Sequence, residues 1–263
     1  MTSFLEKFSL KGKIAFVSGG AGLLGSEVSR ALAGAGARVI ILDIDSEKAE
    51  EVKKRIVEAG FNGEYECFDI ADTENIEKTI DVLFEKYNGA DIWVNVAYPR
   101  TKDWGASVEE VKVDSWRKNI DMHLSGYYFS AQKIAERMKK QKSGSIINFA
   151  SIYGIVAPDF SVYKNTKMTM PAAYSAIKGG IINFTKYLAA YYGKYNIRVN
   201  AVSPGGVYDT QPESFVSSYN EKTPLGRMAN KEDIAGAIIY LASDASNYVT
   251  GHNLVVDGGW SIV

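Results

Sequence analysis

The sequence predicts an α/β domain built on a doubly wound, mostly parallel sheet. Short apolar runs rich in β-branched residues recur along the chain with amphipathic helical stretches between them, which is typical of successive βαβ units. Most of these runs are continuously apolar, as expected for strands that helices cover on both faces. No internal repeat, low-complexity tract or linker interrupts the series, so we predict a single domain over residues 1–263.

Seven runs are predicted as strands of this Rossmann-like sheet, with helices on both of its faces. Right-handed crossovers then place ligands beyond the carboxyl ends of the strands. Predicted outer helices cover residues 46–59, 72–87 and 231–242, and the first of them begins at Ser46 as its N-cap. The predicted strands cover residues 14–18, 39–42, 65–69, 92–95, 145–149, 198–202 and 253–256.

Composition and charge restrict the class of partner. A total of 30 Lys and Arg against 31 Asp and Glu leaves a net charge of -1, which gives no reason to expect nucleic acid or an anionic membrane. One cysteine and two histidines exclude an internal disulfide and are too few for a usual zinc cluster. The sequence has no signal peptide pattern and no apolar run of bilayer-spanning length. We therefore expect a metal-free, cytoplasmic protein that acts on a small molecule.

A glycine-rich turn follows the first predicted strand directly. GxGxxG lies within Ser18-Gly19-Gly20-Ala21-Gly22-Leu23-Leu24-Gly25, at the point where a helix begins. Such a turn lets the backbone approach a pyrophosphate closely, and the helix N-terminus adds free N–H donors. The alternative is a glycine-rich turn without a ligand. The residues predicted to bind a dinucleotide here are Ser18, Gly19, Gly20, Gly22, Leu24 and Gly25.

Asp43 ends the second predicted strand, 18 residues after Gly25. A carboxylate at this position accepts hydrogen bonds from the adenosine ribose and repels a 2′-phosphate. Neither the glycine turn nor Ile44 and Asp45 supply the basic side chain that a 2′-phosphate would require. We therefore predict NAD rather than NADP as the cofactor, the alternative being that Asp43 is a solvated loop acid.

Tyr174 and Lys178 are predicted to carry acid–base chemistry. Their i, i+4 spacing within YSAIK places both side chains on one face of a helix. A tyrosine with a pKa of about 10 is a poor acid–base group at neutral pH, and a nearby lysine cation lowers that pKa. Ser151, at the end of the fifth predicted strand, is placed to hydrogen-bond a substrate oxygen.

At these residues the chain resembles the short-chain dehydrogenase/reductase family. The resemblance covers nearly the whole chain, through YSAIK, INFAS, DIWVNVA, NIRVNAVSPGGV and YLASDASNYVTGHNLVVDGG. It implies an NAD-dependent oxidoreductase in which Tyr174 transfers a proton and Ser151 orients the carbonyl. In that family Lys178 would lower the tyrosine pKa and hold the nicotinamide ribose. The further cofactor contacts that the resemblance implies are Asp69, Ile70, Asn95, Ala97, Pro204, Gly205 and Val207.

A second YxxxK begins at Tyr163, 12 residues after Ser151 and closer to the family's usual spacing. Tyr174 is preferred because an apolar-periodic helix follows it, whereas Pro171 comes soon after Tyr163. Residues 157–170 then form an insertion beside the active site, and we predict that this insertion is a substrate lid.

The chain departs from the family pattern near the predicted active site. Leu23 occupies the position of the usual middle glycine of the turn. His123 stands where the family has a fourth catalytic residue, an asparagine whose backbone carbonyl holds a water of the proton relay. A relay role and a structural role for His123 are both left open. Tyr98 replaces a glycine near the nicotinamide end and is followed by Arg100, so we expect an unusual pocket.

The substrate is predicted to be a hydroxylated, anionic, sugar-like molecule. The segments NVAYPR and APDFSVYKNTKMTMP resemble those of oxidoreductases of bacterial surface-glycan and flagellin-sugar biosynthesis. The alternatives are a gluconate or polyol dehydrogenase, a 3-oxoacyl-thioester reductase and, from another class, a catalytically silent NAD-binding scaffold. Candidate substrate contacts are Tyr98, Arg100, Tyr153, Tyr163, Lys164 and Lys167, of which the basic ones would hold an anionic group unless they are merely solvated.

The family resemblance also implies a homotetramer, with a dimer as the alternative. We expect the helix at 174–192 to pack against a neighbouring copy of the chain. The apolar side chains predicted to face that copy, at three- and four-residue steps, are Ile181, Phe184, Leu188 and Tyr191 or Tyr192.

Overall fold

A seven-stranded sheet organises the computed structural model, which describes residues 4–263. The strands are β1 (Ile14–Ser18), β2 (Arg38–Asp43), β3 (Gly63–Cys67), β4 (Ile92–Asn95), β5 (Gly144–Phe149), β6 (Ile197–Pro204) and β7 (Asn253–Val256). Their order is β3-β2-β1-β4-β5-β6-β7, and every neighbouring pair is parallel. The predicted doubly wound α/β class is therefore confirmed.

Helices cover both faces of this sheet. They are α1 (Leu23–Gly34), α2 (Ser46–Glu58), α3 (Ile76–Tyr87), α4 (Val113–Asn119), α5 (Gly126–Gln141), α6 (Ala172–Tyr192), α7 (Glu213–Lys222) and α8 (Lys231–Ala242). Because strand side chains alternate, Phe16 joins the core beneath α3, α5 and α6, whereas Ala15 and Val17 join the core beneath α1, α2 and α8. In the described part of the chain, no helix combines the length and apolarity needed to cross a bilayer.

Several element boundaries differ from the prediction by one to four residues. The third strand pairs with β2 only as far as Cys67, two residues short of the predicted end. Asp45, not Ser46, caps α2, because the Asp45 carboxylate accepts a hydrogen bond from the backbone N–H of Lys48. Helix α3 begins at Ile76 rather than at residue 72. The prediction of one domain over residues 1–263 includes residues 1–3, which lie outside the described residues.

A buried polar network joins the two central strands to the helices that carry the candidate site. Asn95 on β4 accepts hydrogen bonds from the Trp93 indole at 2.9 Å and the Ser130 hydroxyl of α5 at 3.0 Å. Its amide donates to Asn148 on β5 at 2.9 Å, and Asn148 donates to Thr185 on α6 at 3.1 Å. Buried polar groups are tolerated when each finds a partner. The network thereby holds β4, β5, α5 and α6 in one register.

Helices α4 and α5 join through a π-helical segment, Ile120–Ser125. A π-helical turn inserts one extra residue into a helix and is found frequently at functional sites. Here it turns His123 toward the interior, where the side chain is fully buried.

Residues 157–170 pack against α7 on their inner side. A short 3-10 helix, Phe160–Tyr163, buries Val162 and places the Tyr163 ring 5.2 Å from the Phe215 ring. The Asp159 carboxylate forms an ion pair with Lys222 at the end of α7. The insertion is thus attached to α7 by both apolar and charged contacts.

The predicted subunit-facing stripe of α6 is wrong at three of its positions. Ile181, Leu188 and Tyr192 are buried in the chain's own core, because this face of α6 covers the sheet. Tyr191, the alternative to Tyr192 in that stripe, is 51% exposed, and its ring stacks 6.5 Å from the ring of Tyr187, which is 62% exposed.

Candidate active site

A cavity of about 750 Å³ lies at the carboxyl ends of the strands, beside the switch in strand order between β1 and β4. This is where an open parallel sheet binds its ligands. Most of the residues predicted from the sequence line this one cavity. They are Ser18, Gly19, Gly22, Leu24, Gly25, Asp43, Asp69, Ile70, Ala97, Tyr98, Arg100, Ser151, Tyr153, Tyr163, Tyr174, Lys178, Pro204, Gly205 and Val207.

The glycine turn between β1 and α1 has no room for side chains. Gly19 has a φ of +75°, and a Cβ added there would overlap the backbone of Ala97. A Cβ on Gly25 would overlap the carbonyl oxygen of Gly19. Helix α1 begins at Leu23 without a side-chain cap, so no side chain takes the place of an anion at its first turn. The turn therefore fits the pyrophosphate of a dinucleotide.

Asp43 is held beside this turn by the backbone. One of its carboxylate oxygens accepts from the N–H of Ala21 at 2.9 Å, and the other accepts from the N–H of Asp45 at 3.1 Å. Each oxygen keeps a second lone pair for a further donor. The carboxylate is thus fixed in the cavity wall and can accept hydrogen bonds from a ribose.

Ser151 and Tyr174 meet on the opposite side of the cavity. Ser151 follows β5 and its hydroxyl accepts from the backbone N–H of Tyr153 at 3.2 Å. Burial raises the pKa of the Tyr174 phenol, and a hydrogen bond with Ser151 partly opposes that rise. The phenol is therefore protonated at neutral pH in the protein alone, as a proton donor to a carbonyl must be.

Lys178 lies one turn after Tyr174 on α6, as the i, i+4 spacing predicts. Its ammonium donates to the carbonyl oxygen of Phe149 at 2.7 Å and lies 5.5 Å from the centre of the Tyr174 ring. Burial lowers the pKa of Lys178 to about 7. We expected this lysine to lower the Tyr174 pKa. In the protein alone burial dominates for both groups, because desolvation disfavours phenolate and ammonium alike.

His123 is fully buried behind Lys178 rather than exposed to the cavity. Its Nε2 lies 3.4 Å from the Lys178 Nζ, and its Nδ1 has no hydrogen-bond partner among residues 4–263. Burial and the neighbouring lysine charge hold the pKa of His123 well below its usual value. The imidazole is therefore neutral at physiological pH.

An aromatic wall brings a cation to the substrate side of the cavity. The Trp104 indole donates to the Tyr98 hydroxyl at 2.7 Å, and the Tyr98 ring meets the Tyr174 ring edge-on at 5.8 Å. The Arg100 guanidinium lies over the Tyr98 ring, 4.9 Å from its centre. Within the described chain no carboxylate pairs with Arg100, so its charge is free to meet a ligand.

On the opposite wall, three residues that sequence analysis missed join the predicted Tyr153 and Tyr163. Tyr163 donates to the Tyr153 hydroxyl at 3.4 Å, and Phe215, Tyr219 and Met228 complete this side of the cavity. The i, i+4 spacing of Phe215 and Tyr219, in a segment that begins just after Pro212, was the signal that could have revealed α7. The side chains combine apolar surface with hydroxyl groups.

Five predicted site residues do not line the cavity. Lys164 and Lys167 are exposed on the outer side, because the Tyr163 ring turns inward and the chain then reverses at Asn165, whose φ is +63°. The predicted anion contacts from these two lysines are therefore wrong. The other three residues lie behind the cavity wall and contact neighbouring residues there. They are Gly20, Asn95 and His123.

The two YxxxK segments differ in geometry. Tyr163 ends its short 3-10 helix, so Lys167 lies beyond the helix and on the exposed side. Tyr174 and Lys178 share α6, and both side chains line the cavity. Only the second segment brings its tyrosine and lysine together.

Comparisons with known proteins agree with this geometry. The family model described as enoyl-(acyl carrier protein) reductase matches residues 20–261. Post-translational flagellin modification protein A of Campylobacter coli is 36% identical over 256 residues, 96% of this chain and 100% of that protein.

Two solved structures carry a similar fold over almost the whole chain. A gluconate 5-dehydrogenase from Burkholderia cenocepacia in complex with NADP and tartrate is 30% identical, with a TM-score of 0.88 over 99% of this chain and 100% of that chain. A short-chain dehydrogenase from Leptospira borgpetersenii with bound NAD+ is 33% identical, with a TM-score of 0.86 over 99% of this chain and 96% of that chain.

The match of the family model to residues 20–261 begins within the glycine turn and includes the segment with Ser151, Tyr174 and Lys178. The same family was inferred from these motifs in the sequence, and that inference is confirmed. The chain therefore belongs to the short-chain dehydrogenase/reductase family.

Proposed function

We propose that the protein is an NAD(H)-dependent oxidoreductase that interconverts a carbonyl and a secondary alcohol on a small, hydroxylated, anionic, sugar-like molecule. One observation carries the proposal. A single cavity holds the glycine turn and Asp43 at one end and Ser151, Tyr174 and Lys178 at the other. A dinucleotide in that cavity would supply or accept the hydride next to the acid–base group.

Three side chains orient the substrate, transfer the proton and stabilise the phenolate. Ser151 hydrogen-bonds the substrate oxygen and so holds it beside Tyr174. The Tyr174 phenol donates its proton to that oxygen in reduction and takes it back in oxidation. Lys178 places a positive charge one helical turn away, which favours the phenolate form when the proton leaves.

Arg100 is the residue that we propose for the anionic group of the substrate. It lines the cavity, lies over Tyr98 and has no carboxylate partner in the described residues. Arginine binds carboxylates and phosphates through paired hydrogen bonds. The names of the relatives agree, because one modifies flagellin and another is a gluconate dehydrogenase solved with tartrate, a hydroxylated dicarboxylate.

The alternatives differ in what they require of the pocket. A gluconate or polyol dehydrogenase would use the same donors and acceptors with less need for Arg100. A 3-oxoacyl-thioester reductase would use the apolar side of Phe215 and Met228 for an acyl chain. A catalytically silent scaffold would show no NADH formation with any sugar or polyol.

We further propose a homotetramer in the cytoplasm and a lid function for residues 157–170. Support for the lid is its position, since Tyr163, Met168 and Met170 face the cavity. Support for an interface on α6 is the exposed pair Tyr187 and Tyr191, because large exposed aromatic groups often mark protein contacts.

Replacement of Asp43 by Ala should weaken the preference for NAD over NADP. The parent should bind NAD at least tenfold more tightly, since the fixed carboxylate accepts from the ribose and repels a 2′-phosphate. Fluorescence titration of both cofactors measures this ratio. A parent with equal affinities, or an Asp43→Ala protein with an unchanged ratio, would contradict the assignment.

Replacement of Tyr174 by Phe should lower kcat by about a thousandfold or more while cofactor affinity stays within about threefold, because only the transferable proton is lost. Tyr163→Phe is the matched control, since its hydroxyl faces Tyr153 rather than Lys178. Steady-state rates and cofactor titrations measure both effects. If Tyr163→Phe loses more kcat than Tyr174→Phe, then Tyr163 is the acid–base group and the assignment to Tyr174 is wrong.

Replacement of Arg100 by Ala should raise KM for anionic sugars by about tenfold or more, as expected for loss of a charge-assisted hydrogen bond worth about 1.5 kcal/mol. Neutral analogues should be unaffected. The double variant Lys164→Ala/Lys167→Ala is the control, because both lysines lie outside the cavity. If Arg100→Ala leaves the order of anionic and neutral substrates unchanged, the pocket does not select for charge through this residue.

Light scattering at micromolar protein concentration should give the mass of a tetramer. Tyr187→Glu should reduce that mass, because a buried carboxylate at an apolar contact is costly. Lys186→Gln, at the neighbouring exposed position, lowers the net charge by the same single unit and controls for charge alone. A monomeric parent would refute the proposed tetramer. If the Tyr187→Glu protein is still a tetramer, the contact between subunits does not involve Tyr187.

A further inference from the structure

The buried contact between His123 and Lys178 lies beneath the cavity and is not explained by a dinucleotide or substrate contact. The imidazole Nε2 and the lysine Nζ are 3.4 Å apart, and both side chains are at least 95% buried. They come from different elements, since the π-helical segment presents His123 and α6 presents Lys178. This approach therefore depends on the extra residue of the π-helical turn.

The surroundings of Lys178 leave the imidazole as its nearest side-chain acceptor. Its other hydrogen-bond partner is the backbone carbonyl of Phe149. The titratable side chains packed around the pair are phenols, namely Tyr98 after β4, Tyr127 on α5 and Tyr174 on α6. Among residues 4–263 no Asp or Glu forms an ion pair with the lysine.

An ammonium is only a donor, so a contact with it requires a lone pair on the neighbouring nitrogen. A neutral imidazole offers that lone pair at Nε2 when its proton is on Nδ1. A protonated imidazole would bring two cations to 3.4 Å in a buried site, which is strongly unfavourable. In the reverse arrangement, the imidazole carries its proton on Nε2 and donates it to the lone pair of a neutral lysine. The two arrangements therefore differ in whether Nδ1 or Nε2 is protonated.

We propose that His123 is a positioning residue whose neutral imidazole, protonated on Nδ1, accepts a hydrogen bond from the Lys178 ammonium and keeps that lysine charged beneath Tyr174. The histidine does not touch the cavity and acts through the lysine. An acceptor next to the Lys178 ammonium favours its charged form. It therefore opposes burial, which lowers the pKa of Lys178 to about 7. The consequence for catalysis rests on the proposed function of Tyr174, whereas the tautomer and the contact do not.

The tautomer is tested directly in the protein without substrate. The chain contains only two histidines, His123 and the exposed His252, so ring-¹⁵N-labelled protein without a tag gives two separable sets of signals. Magic-angle-spinning NMR at pH 6 should show His123 as a neutral ring with its proton on Nδ1. His123→Gln assigns the signals by removing one set. A proton on Nε2, or a doubly protonated His123 ring, would overturn the proposal.

The effect on Lys178 is tested with two variants that separate the acceptor from its packing. His123→Gln places an amide oxygen near the position of Nε2, whereas His123→Leu fills similar volume without an acceptor. Without the acceptor, Lys178 loses its charge at lower pH, and the phenolate of Tyr174 becomes harder to form. In the direction of alcohol oxidation, the acidic limb of the kcat profile should move up by about one pH unit in His123→Leu. The rate at pH 7 should then fall about tenfold.

His123→Gln should restore most of the parent profile, and His252→Leu should leave it unchanged. Unfolding midpoints in urea show whether each variant is folded. A folded His123→Leu protein whose kcat profile overlays that of the parent would refute the positioning role even if the tautomer is as proposed. If the parent shows no turnover, the proposed function fails while the NMR experiment still decides the contact.

Discussion

The parallel arrangement of β1, β4 and β5 is the constraint on which the site depends. Because these strands run in one direction, the turn after β1, Ala97 after β4 and Ser151 after β5 all emerge at one edge of the sheet. Gly19 can approach Ala97 so closely only without a side chain. The polar network from Asn95 to Thr185 then ties α6 to the same edge. The glycine turn that would bind the cofactor and the acid–base pair Tyr174 and Lys178 thus line one cavity.

Burial sets the electrostatics of that cavity. A buried phenol holds its proton and a buried ammonium loses one more readily, so burial raises the pKa of Tyr174 and lowers that of Lys178 to about 7. Hydrogen bonds oppose this tendency at each group, because Ser151 hydrogen-bonds the phenol and the Lys178 ammonium donates to the carbonyl oxygen of Phe149. The bond that we propose from the ammonium to His123 would act in the same direction. The chain therefore already contains part of the polar environment that proton transfer requires.

The substrate side combines aromatic surface with one unpaired cation. Tyr98 contacts Trp104, Tyr174 and Arg100, so it connects the acid–base group to the residue proposed to bind charge. A rigid ring beneath a guanidinium limits the positions that the guanidinium can adopt. The same wall therefore shapes the pocket and holds the guanidinium that we propose for an anionic group of the substrate.

The sheet class and most of the cavity lining could be predicted from the sequence, because strand periodicity, the glycine turn and the i, i+4 pair Tyr174 and Lys178 are local patterns. Sequence analysis misplaced Lys164, Lys167 and the exposed face of α6, since the direction of a side chain depends on which surface the element covers. The contact between His123 and Lys178 could not be predicted and is evident only in the folded chain. That contact joins residues 55 positions apart through a π-helical turn, and no local pattern encodes the distance between two packed helices.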